Sequence, residues 1–450
     1  KKPEDEIYVL GNPPYLGARL QNENQKYDMS LVFDGVNGYN NLDYISCWFI
    51  KASKYIQSFN IKSAFVTTNS ICQGEQVSLL WSHIFKLNIE ISFAHLSFKW
   101  TNNAKSNAGV TVAIIGIRNI SPEAKYIFQD NSIKQAKNIN PYLIDAKNTY
   151  IAKSSKSISN LPEMCFGSMA NDGGNLFLTP QEYHDIIQKY PSAKQLIKSL
   201  LGSQEFIRGE KKYCLWITDD LKALSLSIPE IKNRIDRVYN IRSTSKRSAT
   251  KILAQFPYKF GEVRHQETNS ILIPRHSSEN REYIPIGFLN DDTIIADSAM
   301  AVYNTKTWYF GILTSKMHMA WVKTVAGRLK TDYRYSSTLC YNTFPFPKIS
   351  EAQKQELTQC VFRILEEREN HSEKTLAQLY DPVKMPQGLR EAHRLNDLAV
   401  ERCYRSKPFE TDEERLEYLF KLYEQMIADE KQKGTLFEEE KKAKKTKKIN

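Results

Sequence analysis

Four adjacent residues near the start of the chain suit the handling of an aromatic amine: Asn12, Pro13, Pro14 and Tyr15. The side-chain oxygen of Asn12 and the main-chain carbonyl of Pro13 are both hydrogen-bond acceptors. Because consecutive prolines restrict the backbone, these acceptors are held in fixed positions. Tyr15 adds a flat ring on which another ring can stack. The tetrapeptide therefore predicts a rigid site for a planar ligand that carries an exocyclic amine.

Methylation is the chemistry that such a site favours. The amino group of adenine is a poor nucleophile because its lone pair is delocalised into the ring. Two acceptors that take both N–H bonds favour a pyramidal nitrogen whose lone pair points at a methyl sulfonium. We therefore predict transfer of a methyl group from S-adenosylmethionine to an adenine flipped out of duplex DNA, without a dedicated general base. The alternative is that N-P-P-Y is only a rigid turn after a strand.

Aromatic and amide residues follow later strands. Phe98 or Trp100 could cover the second face of the flipped base and form a clamp with Tyr15, or could serve as ordinary core residues. Asn69 and Gln73 lie just beyond another predicted strand, at the same edge of the sheet. Their pattern favours a role in a turn over contact with a substrate.

A sheet must bring these strand ends together. Residues 7–117 alternate strand and helix patterns in the way that a doubly wound α/β sheet does. Strands are predicted at 7–10, 63–68, 89–95 and 110–117, and amphipathic helices at 42–59 and 77–85. The loop that begins at Asn12 follows the first strand, and open α/β sheets bind ligands beyond the carboxyl ends of their strands.

Composition narrows the class of protein. A chain of 450 residues has room for two or three domains. Its seven cysteines occur singly, which predicts reduced thiols and no metal site. No apolar run reaches about 18 residues and no export signal is present, so we expect a cytoplasmic protein without a membrane span. The net charge is +11, and removing the six lysines of the last ten residues (11 minus 6) leaves +5, which favours a polyanionic partner.

The pattern changes three times after residue 120. Residues 121–160 are polar and are predicted to be a linker. Residues 161–347 show mixed α+β patterns with many turns. Residues 348–430 are helical, with a break at Asp381-Pro382, and 431–450 form a basic tail that we expect to be disordered.

Three groups of residues suit contact with DNA. Basic residues and hydroxyls in 234–251 suit phosphates, although a solvated basic face has the same composition. The turn-rich run 264–276 holds side chains that can read base edges, although such residues are common on polar loops. A third group follows a helix predicted at 308–325. The candidates are Arg237, Arg242, Lys246, Arg247, Arg264, Gln266, Arg275, Arg328, Lys330 and Arg334.

These motifs resemble the gamma-class N6-adenine DNA methyltransferases of bacterial restriction-modification systems. Residues 11–15 match their catalytic motif IV, and 42–59, 64–74 and 98–117 match motifs V to VIII. The blocks 97–100 with 108–112, 202–207 and 325–336 resemble more specifically the MmeI-like (type IIG/IIL) single-chain enzymes.

The resemblance implies a class I S-adenosylmethionine-dependent methyltransferase (Rossmann-like) half domain over 1–120, an α+β target-recognition domain over 161–347 and a helical region over 348–430. It assigns the amine-acceptor roles to Asn12 and Pro13 and base stacking to Tyr15. It also places a glycine-rich cofactor motif and a nuclease upstream, so we expect a C-terminal part of a longer enzyme that is inactive alone. The expected partners are double-stranded DNA and that N-terminal segment.

Two other functions remain open at this point. One is a DNA-recognition fragment without catalysis. The other is a protein-glutamine N-methyltransferase, since enzymes of that kind also use N-P-P-Y on a side-chain amide. The long region that follows the motif-bearing part argues against the second alternative.

Overall fold

The computed structural model describes residues 6–100, 110–329 and 331–446. The chain divides into two compact units, and each is built from separate segments. The first unit takes its described residues from 1–160, 320–347 and 407–450, and the second from 161–319 and 348–406. The units therefore do not follow the predicted domain ranges, because two later segments of the chain fold with the first unit.

Strands and helices alternate through most of the described chain. The strands are β1 (Ile7–Gly11), β2 (Ile61–Thr68), β3 (Ile89–Trp100), β4 (Val110–Asn119), β5 (Lys125–Gln129), β6 (Ser132–Ala136), β7 (Met164–Phe166), β8 (Phe177–Leu178), β9 (Ile197–Leu201), β10 (Tyr213–Leu215), β11 (Ser270–Pro274), β12 (His276–Ser277), β13 (Gly287–Leu289), β14 (Thr293–Ile295), β15 (Ala299–Tyr303), β16 (Gly327–Leu329) and β17 (Asp332–Arg334). The α-helices are α1 (Glu23–Val32), α2 (Ser46–Ile56), α3 (Gly74–Phe85), α4 (Pro180–Lys189), α5 (Ser203–Arg208), α6 (Lys222–Ser227), α7 (Pro229–Ser243), α8 (Ser248–Ile252), α9 (Thr307–Leu313), α10 (Lys316–Val325), α11 (Glu351–Glu369), α12 (Leu376–Leu379), α13 (Gln387–Arg402) and α14 (Asp412–Thr446).

A mixed sheet with the strand order β1-β2-β4-β3-β5-β6 forms the frame of the first unit. β1 runs parallel to β2, and β3 runs parallel to β5. β4 lies antiparallel between β2 and β3. The carboxyl ends of β1, β2, β3 and β5 therefore meet at one edge of the sheet, which we call the carboxyl edge.

Helices α2 and α3 pack against this sheet through large apolar side chains. The ring of Phe49 in α2 lies 5.3 Å from Phe65 in β2 and 5.8 Å from Trp81 in α3. Trp81 also donates its indole N–H to the carbonyl of Ile71 at 2.8 Å. The four predicted strands and two predicted helices of residues 7–117 are confirmed as β1–β4, α2 and α3, whereas α1 was not predicted.

The prediction of a linker at 121–160 is wrong over residues 125–136, because β5 and β6 extend the sheet there. Outer strands need apolar side chains on only one face, so their sequence can be mostly polar. In β5 only Ile127 is buried, and in β6 only Ala136. The tail prediction is also wrong in part, since α14 continues through residues 431–446.

The second unit contains two four-stranded sheets, with the orders β14-β9-β10-β8 and β13-β11-β15-β7. Ile231, Ile235 and Val238 of α7 belong to its main core cluster. The predicted break at Asp381-Pro382 is confirmed, because it falls between α12 and α13. The single helix predicted at 308–325 is instead two helices, α9 and α10.

Residues 320–347 fold with the first unit, although they lie in the range predicted for target recognition. Trp321 lies 5.7 Å from Phe420 and 5.8 Å from Tyr423, and its indole N–H donates to Thr343 Oγ1 at 3.2 Å. β16 and β17 form an antiparallel hairpin in this segment. Across the described ranges, we find no helix whose length and apolarity would let it span a bilayer.

Candidate active site

The loop that begins at Asn12 leaves the end of β1 at the carboxyl edge, as predicted. Asn12 is exposed, and its side chain makes no hydrogen bond to any described residue. Pro13 is buried, which fixes the carbonyl-bearing part of the loop, and Tyr15 is half-buried. The loop therefore offers a carboxamide that is free to bind a ligand beside a rigidly held proline.

A buried carboxylate anchors this loop to its surroundings. Asp43 Oδ1 accepts the main-chain N–H of Leu16 at 2.8 Å and that of Ile45 at 3.2 Å. Its second oxygen accepts the Thr68 hydroxyl at 3.5 Å and the Ser70 hydroxyl at 3.4 Å. Asp43 thus joins the end of the β1 loop, the start of α2 and the end of β2.

Burial raises the pKa of Asp43, and the N–H donors of Ile45 and Leu16 act in the opposite direction. A buried carboxylate is costly without such donors, so its position is closely defined by them. Asp43 was not among the predicted site residues. The available signal was an isolated acidic residue at the start of a predicted amphipathic helix.

Gln21 completes the anchoring of the same loop. Its amide donates to the carbonyl of Leu16 at 3.1 Å and to that of Leu42 at 3.0 Å, and Gln21 itself is buried. The main-chain N–H of Tyr44 also donates to the Leu16 carbonyl, at 3.0 Å. Both polar groups of Leu16 are therefore bonded, which limits movement of the residues just before it.

Asn12 and Pro13 line an open cavity of about 1140 Å³ whose other walls come mainly from α1 and from the segment around α2. The cavity wall includes Tyr44, whose hydroxyl donates to Asp28 Oδ2 at 2.6 Å. This bond raises the pKa of Tyr44 to about 12. The Trp48 ring packs edge-on to Tyr44 at 5.1 Å. The acceptor atoms of the loop therefore lie at the border of a large, mostly apolar space.

The two residues proposed to complete an aromatic clamp are only partly described. Phe98 is half-buried in β3, pairs with Val112 and lies 5.0 Å from the ring of His95. Trp100 ends β3, but its side chain lies outside the described residues. A clamp with Tyr15 therefore remains a prediction.

Arg242 is buried inside the second unit, not exposed for DNA as its sequence context suggested. It is fully buried, and its guanidinium donates to the carbonyls of five residues at 2.7 to 3.0 Å. These five are Ala170, Asn171, Leu253, Phe256 and Lys259. Arg242 therefore holds the second unit together, and its assignment to DNA binding is corrected.

Helical spacing explains the burial of Arg242. The buried positions of α7 are Ile231, Ile235, Val238 and Arg242, which are separated by four, three and four residues. This spacing puts Arg242 on the apolar face of the helix. This spacing was visible in the sequence, but the basic composition of the stretch favoured an exposed, DNA-binding position for Arg242.

The other basic residues of the stretch 234–251 differ from Arg242. Arg237, Lys246 and Arg247 are exposed, and their side chains pair with no described residue. Exposed apolar residues occur in the same stretch and just after it, with Tyr239 at 51% and Phe256 at 48%. The exposed cations can meet a phosphate backbone, and the prediction that they do so stands.

The turn-rich group of the second unit surrounds one aromatic ring. The guanidinium groups of Arg264 and Arg275 lie 5.8 and 4.7 Å from the ring centre of Phe166. Arg264 also donates to the Gly167 carbonyl at 3.1 Å, and Arg275 to that of Asp297 at 2.8 Å. Gln266 is exposed. These bonds restrict both arginines, and the role of all three side chains in base reading remains a prediction.

The third predicted group lies in the first unit. Arg328 is half-buried and Arg334 is exposed, and the two residues lie in the paired strands β16 and β17. Arg328 donates to the carbonyl of Thr331 at 2.8 Å. Lys330 lies outside the described residues. The third group is thus attached to the unit that carries the Asn12 loop.

Three protein-family models match the chain in succession. The model described as MmeI, DNA-methyltransferase domain, matches residues 1–129. The model described as MmeI, target recognition domain, matches residues 145–348. The model described as MmeI, C-terminal domain, matches residues 349–430.

Individual proteins show the same likeness. A Bacillus subtilis (strain 168) protein named DNA methyltransferase A is 49% identical over 424 residues, which cover 94% of this chain and 48% of that protein. The solved structure of the type IIL restriction-modification enzyme MmeI in complex with DNA matches with a TM-score of 0.88 and 38% identity, over 94% of this chain and 57% of that chain. The chain therefore spans about half the length of these two proteins.

Proposed function

The chain belongs to the MmeI family, and from this premise we propose that it methylates adenine in duplex DNA. The methyl group of S-adenosylmethionine is transferred to the N6 amine of an adenine flipped out of the helix, within a restriction-modification system. The observation that carries the proposal is the carboxamide of Asn12 at the carboxyl edge, which bonds to none of the described residues and lies beside buried Pro13.

The loop activates the amine through hydrogen bonding. Asn12 Oδ1 accepts one N–H of the adenine amine, and the Pro13 carbonyl accepts the other. With both hydrogens held, the nitrogen lone pair is withdrawn from the ring and points away from the two acceptors. After the new bond forms, the nitrogen carries a positive charge and loses a proton readily, so no basic side chain is needed at this atom.

Methyl transfer by this loop requires that its two acceptor atoms are held rigidly. Asp43 accepts the main-chain N–H of Leu16, and Gln21 donates to its carbonyl. The loop is therefore fixed at both ends, by β1 before Asn12 and by these two side chains at Leu16. Tyr15 presents the ring on which the extruded base stacks. Because a misplacement of about 1 Å can lower a rate by about 100-fold, these anchoring residues contribute to transfer without touching the base.

The residues around the first cavity fit part of the cofactor. Leu31, Val32 and Trp48 provide apolar walls next to the Asn12 loop for its less polar parts. When bound, S-adenosylmethionine supplies an electrophilic methyl group on a positively charged sulfur. No two glycines of the chain are separated by a single residue, so a G-x-G loop for the cofactor is absent from this sequence. We propose that its remaining contacts come from residues outside this chain.

The second unit supplies the proposed recognition of the target. Exposed Arg237, Lys246 and Arg247 neutralise phosphates, and Gln266 can read a base edge in the major groove. A match to a target recognition domain over 145–348 supports a role of the second unit in DNA recognition. It also disfavours the protein-glutamine methyltransferase, for which a DNA-reading region has no use.

Labelling of the product tests the proposal. The chain is assayed with radiolabelled S-adenosylmethionine and duplex DNA, both alone and joined to the half of the Bacillus subtilis relative that it does not match. For the joined protein, we expect label in N6-methyladenine after the DNA is digested to nucleosides. Label in another nucleoside would refute the adenine assignment. Sequence-specific DNA binding without any transfer would refute catalysis and favour the recognition fragment.

A further inference from the structure

A second cavity lies at the carboxyl edge, and the mechanism above does not use it. It has a volume of about 330 Å³ and is lined by residues that follow β2 and β5, by residues near the end of β3, and by residues of α10 and β16. We call it the amide pocket, after its carboxamide side chains. Its polar residues include Asn69, Gln73, Ser97, Gln129, Lys323 and Arg328.

The carboxamides of this pocket have no hydrogen-bond partner in the part of the chain that the structure describes. The side chains of Asn69, Gln73 and Gln129 make no hydrogen bond to any described residue. The Oδ1 atom of Asn69 is moreover buried and unbonded. An unsatisfied buried acceptor destabilises a fold, and a ligand that supplies a donor would remove this cost.

Cationic groups are fixed at the wall of the amide pocket. The guanidinium of Arg328 lies 4.4 Å from the ring centre of Tyr333 and donates to the Thr331 carbonyl at 2.8 Å. Lys323 Nζ is 3.2 Å from an Asp412 carboxylate oxygen. Asp130 is the acidic residue among those that line the pocket. These contacts hold the cations in place for an anionic group.

Close backbone packing joins the β16–β17 hairpin to the loop after β2. Gly74 has a φ of +60°, and a Cβ atom there would lie 3.2 Å from the Cα of Gly327. A side chain at position 74 would push the hairpin away from the pocket wall. The pocket is therefore assembled from the methyltransferase match and from the end of the target-recognition match.

The strand order places the amide pocket near, but not at, the Asn12 loop. β1 and β3 are separated by three strand spacings, or about 14 Å at about 4.8 Å per spacing. In B-DNA this distance corresponds to about four base steps of 3.4 Å. Asn69 follows β2, one spacing from β1, whereas Ser97 and Gln129 belong to β3 and β5, three and four spacings from β1. This far wall of the pocket is too distant for the base that Asn12 holds, but it is close enough for another nucleotide of the same site.

We propose that the amide pocket binds a second, unstacked nucleotide within about four steps of the target adenine. This inference rests on the proposed function. Asn69, Gln73 and Gln129 hydrogen-bond the edge of its base, since carboxamides offer both donors and acceptors. Arg328 faces its phosphate. The pocket thereby uses residues of the methyltransferase match and of the target-recognition match, all within the first unit, for one nucleotide.

Fluorescence of 2-aminopurine, which rises when the base leaves the stack, tests this proposal. The probe is a duplex enriched by the chain from a randomised pool, with 2-aminopurine placed in turn at the target position and at each position within four steps. We expect a rise at the target and at one further position. In the variant Asn69→Ala/Gln73→Ala the second signal is lost, the target signal persists, and affinity falls about tenfold.

Two further variants keep the test decisive. Gln129→Ala changes an exposed side chain and should weaken the second signal without affecting folding. Gln57→Ala, an exposed carboxamide at the end of α2, is the control and should change neither signal. Unstacking at the target alone, or a second signal that survives all pocket variants, would overturn the pocket assignment. Absence of unstacking at the target itself would instead count against the proposed function.

Discussion

The loop at Asn12 and the basic stretch 234–251 were both predicted to contact DNA, but their predicted side chains differ in exposure and hydrogen bonding. In the loop, the side chain that carries the proposed chemistry is exposed and forms no hydrogen bond within residues 6–100, 110–329 and 331–446. In the stretch, Arg242 is buried with five carbonyl partners, whereas Arg237, Lys246 and Arg247 are exposed. Residue type alone therefore did not separate the exposed basic side chains of the stretch from the buried structural one.

The difference has a physical basis. The Asn12 loop combines specific acceptor atoms with rigid backbone, and few structural roles require that combination. A basic residue has several roles, because arginine donors satisfy main-chain carbonyls inside a protein as well as phosphates outside it. Polar side-chain atoms without a partner among the described residues are the feature that the Asn12 loop shares with the amide pocket.

The largest effect on activity is expected from Asn12→Ala, which tests whether the exposed carboxamide of the loop acts in methyl transfer. Removal of one acceptor leaves the amine lone pair in the ring, so methyl transfer should fall at least about 1000-fold. DNA affinity should change little. Methyl incorporation and DNA titration measure the two effects. Asn37→Ala, at an exposed position of the same unit, is the matched control. Transfer at the original rate by Asn12→Ala would contradict the assigned role.

Arg242→Met tests the structural side of the comparison. The variant leaves five buried carbonyls without their donor, so the free energy of unfolding of the second unit should fall by about 3 to 5 kcal/mol. Urea denaturation measures the loss, and hydrogen exchange in α7 locates it. Arg237→Met, on the exposed face of the same helix, should leave stability nearly unchanged. Equal stability of the two variants would show that burial of Arg242 does not stabilise the unit.

Asp43→Asn separates positioning from binding within the active site. The variant keeps an acceptor for the N–H of Leu16 but places an NH₂ group where the Thr68 and Ser70 hydroxyls now donate. The loop should shift, and the turnover rate should fall about 10- to 100-fold while the KM for DNA stays constant. Asp34→Asn, an exposed aspartate nearby, is the control. A change in KM alone would mean that Asp43 acts on DNA binding instead.

The smallest effect is expected from Lys246→Ala/Arg247→Ala, which tests whether the exposed cations meet phosphates. Loss of two phosphate contacts should reduce the slope of log affinity against log salt by about 2, equally for all DNA sequences. Binding titrations over a range of salt concentrations measure the slope. Lys194→Ala/Lys211→Ala removes two exposed lysines elsewhere in the second unit and is the control. An unchanged slope would leave these residues as a solvated face.

Local patterns predicted the parts of the fold that depend on residues close in sequence. Alternation and helical spacing identified β1–β4, α2 and α3, because each buries its apolar side chains on one face. The same reasoning failed for β5 and β6, whose side chains are mostly not buried. It also treated α9 and α10 as one helix, since apolar spacing continues across the turn between them.

The sequence by itself determined the residue types on which the proposed chemistry of the Asn12 loop depends, and the place of this loop at the end of a strand. Only the tertiary structure decided that Asp43 holds this loop, that Arg242 is internal, and that residues 320–347 fold with the first unit. Each of these depends on partners that are distant in the chain. Short-range patterns report which face of an element is apolar, whereas hydrogen-bond partners are chosen by the packing of many elements together.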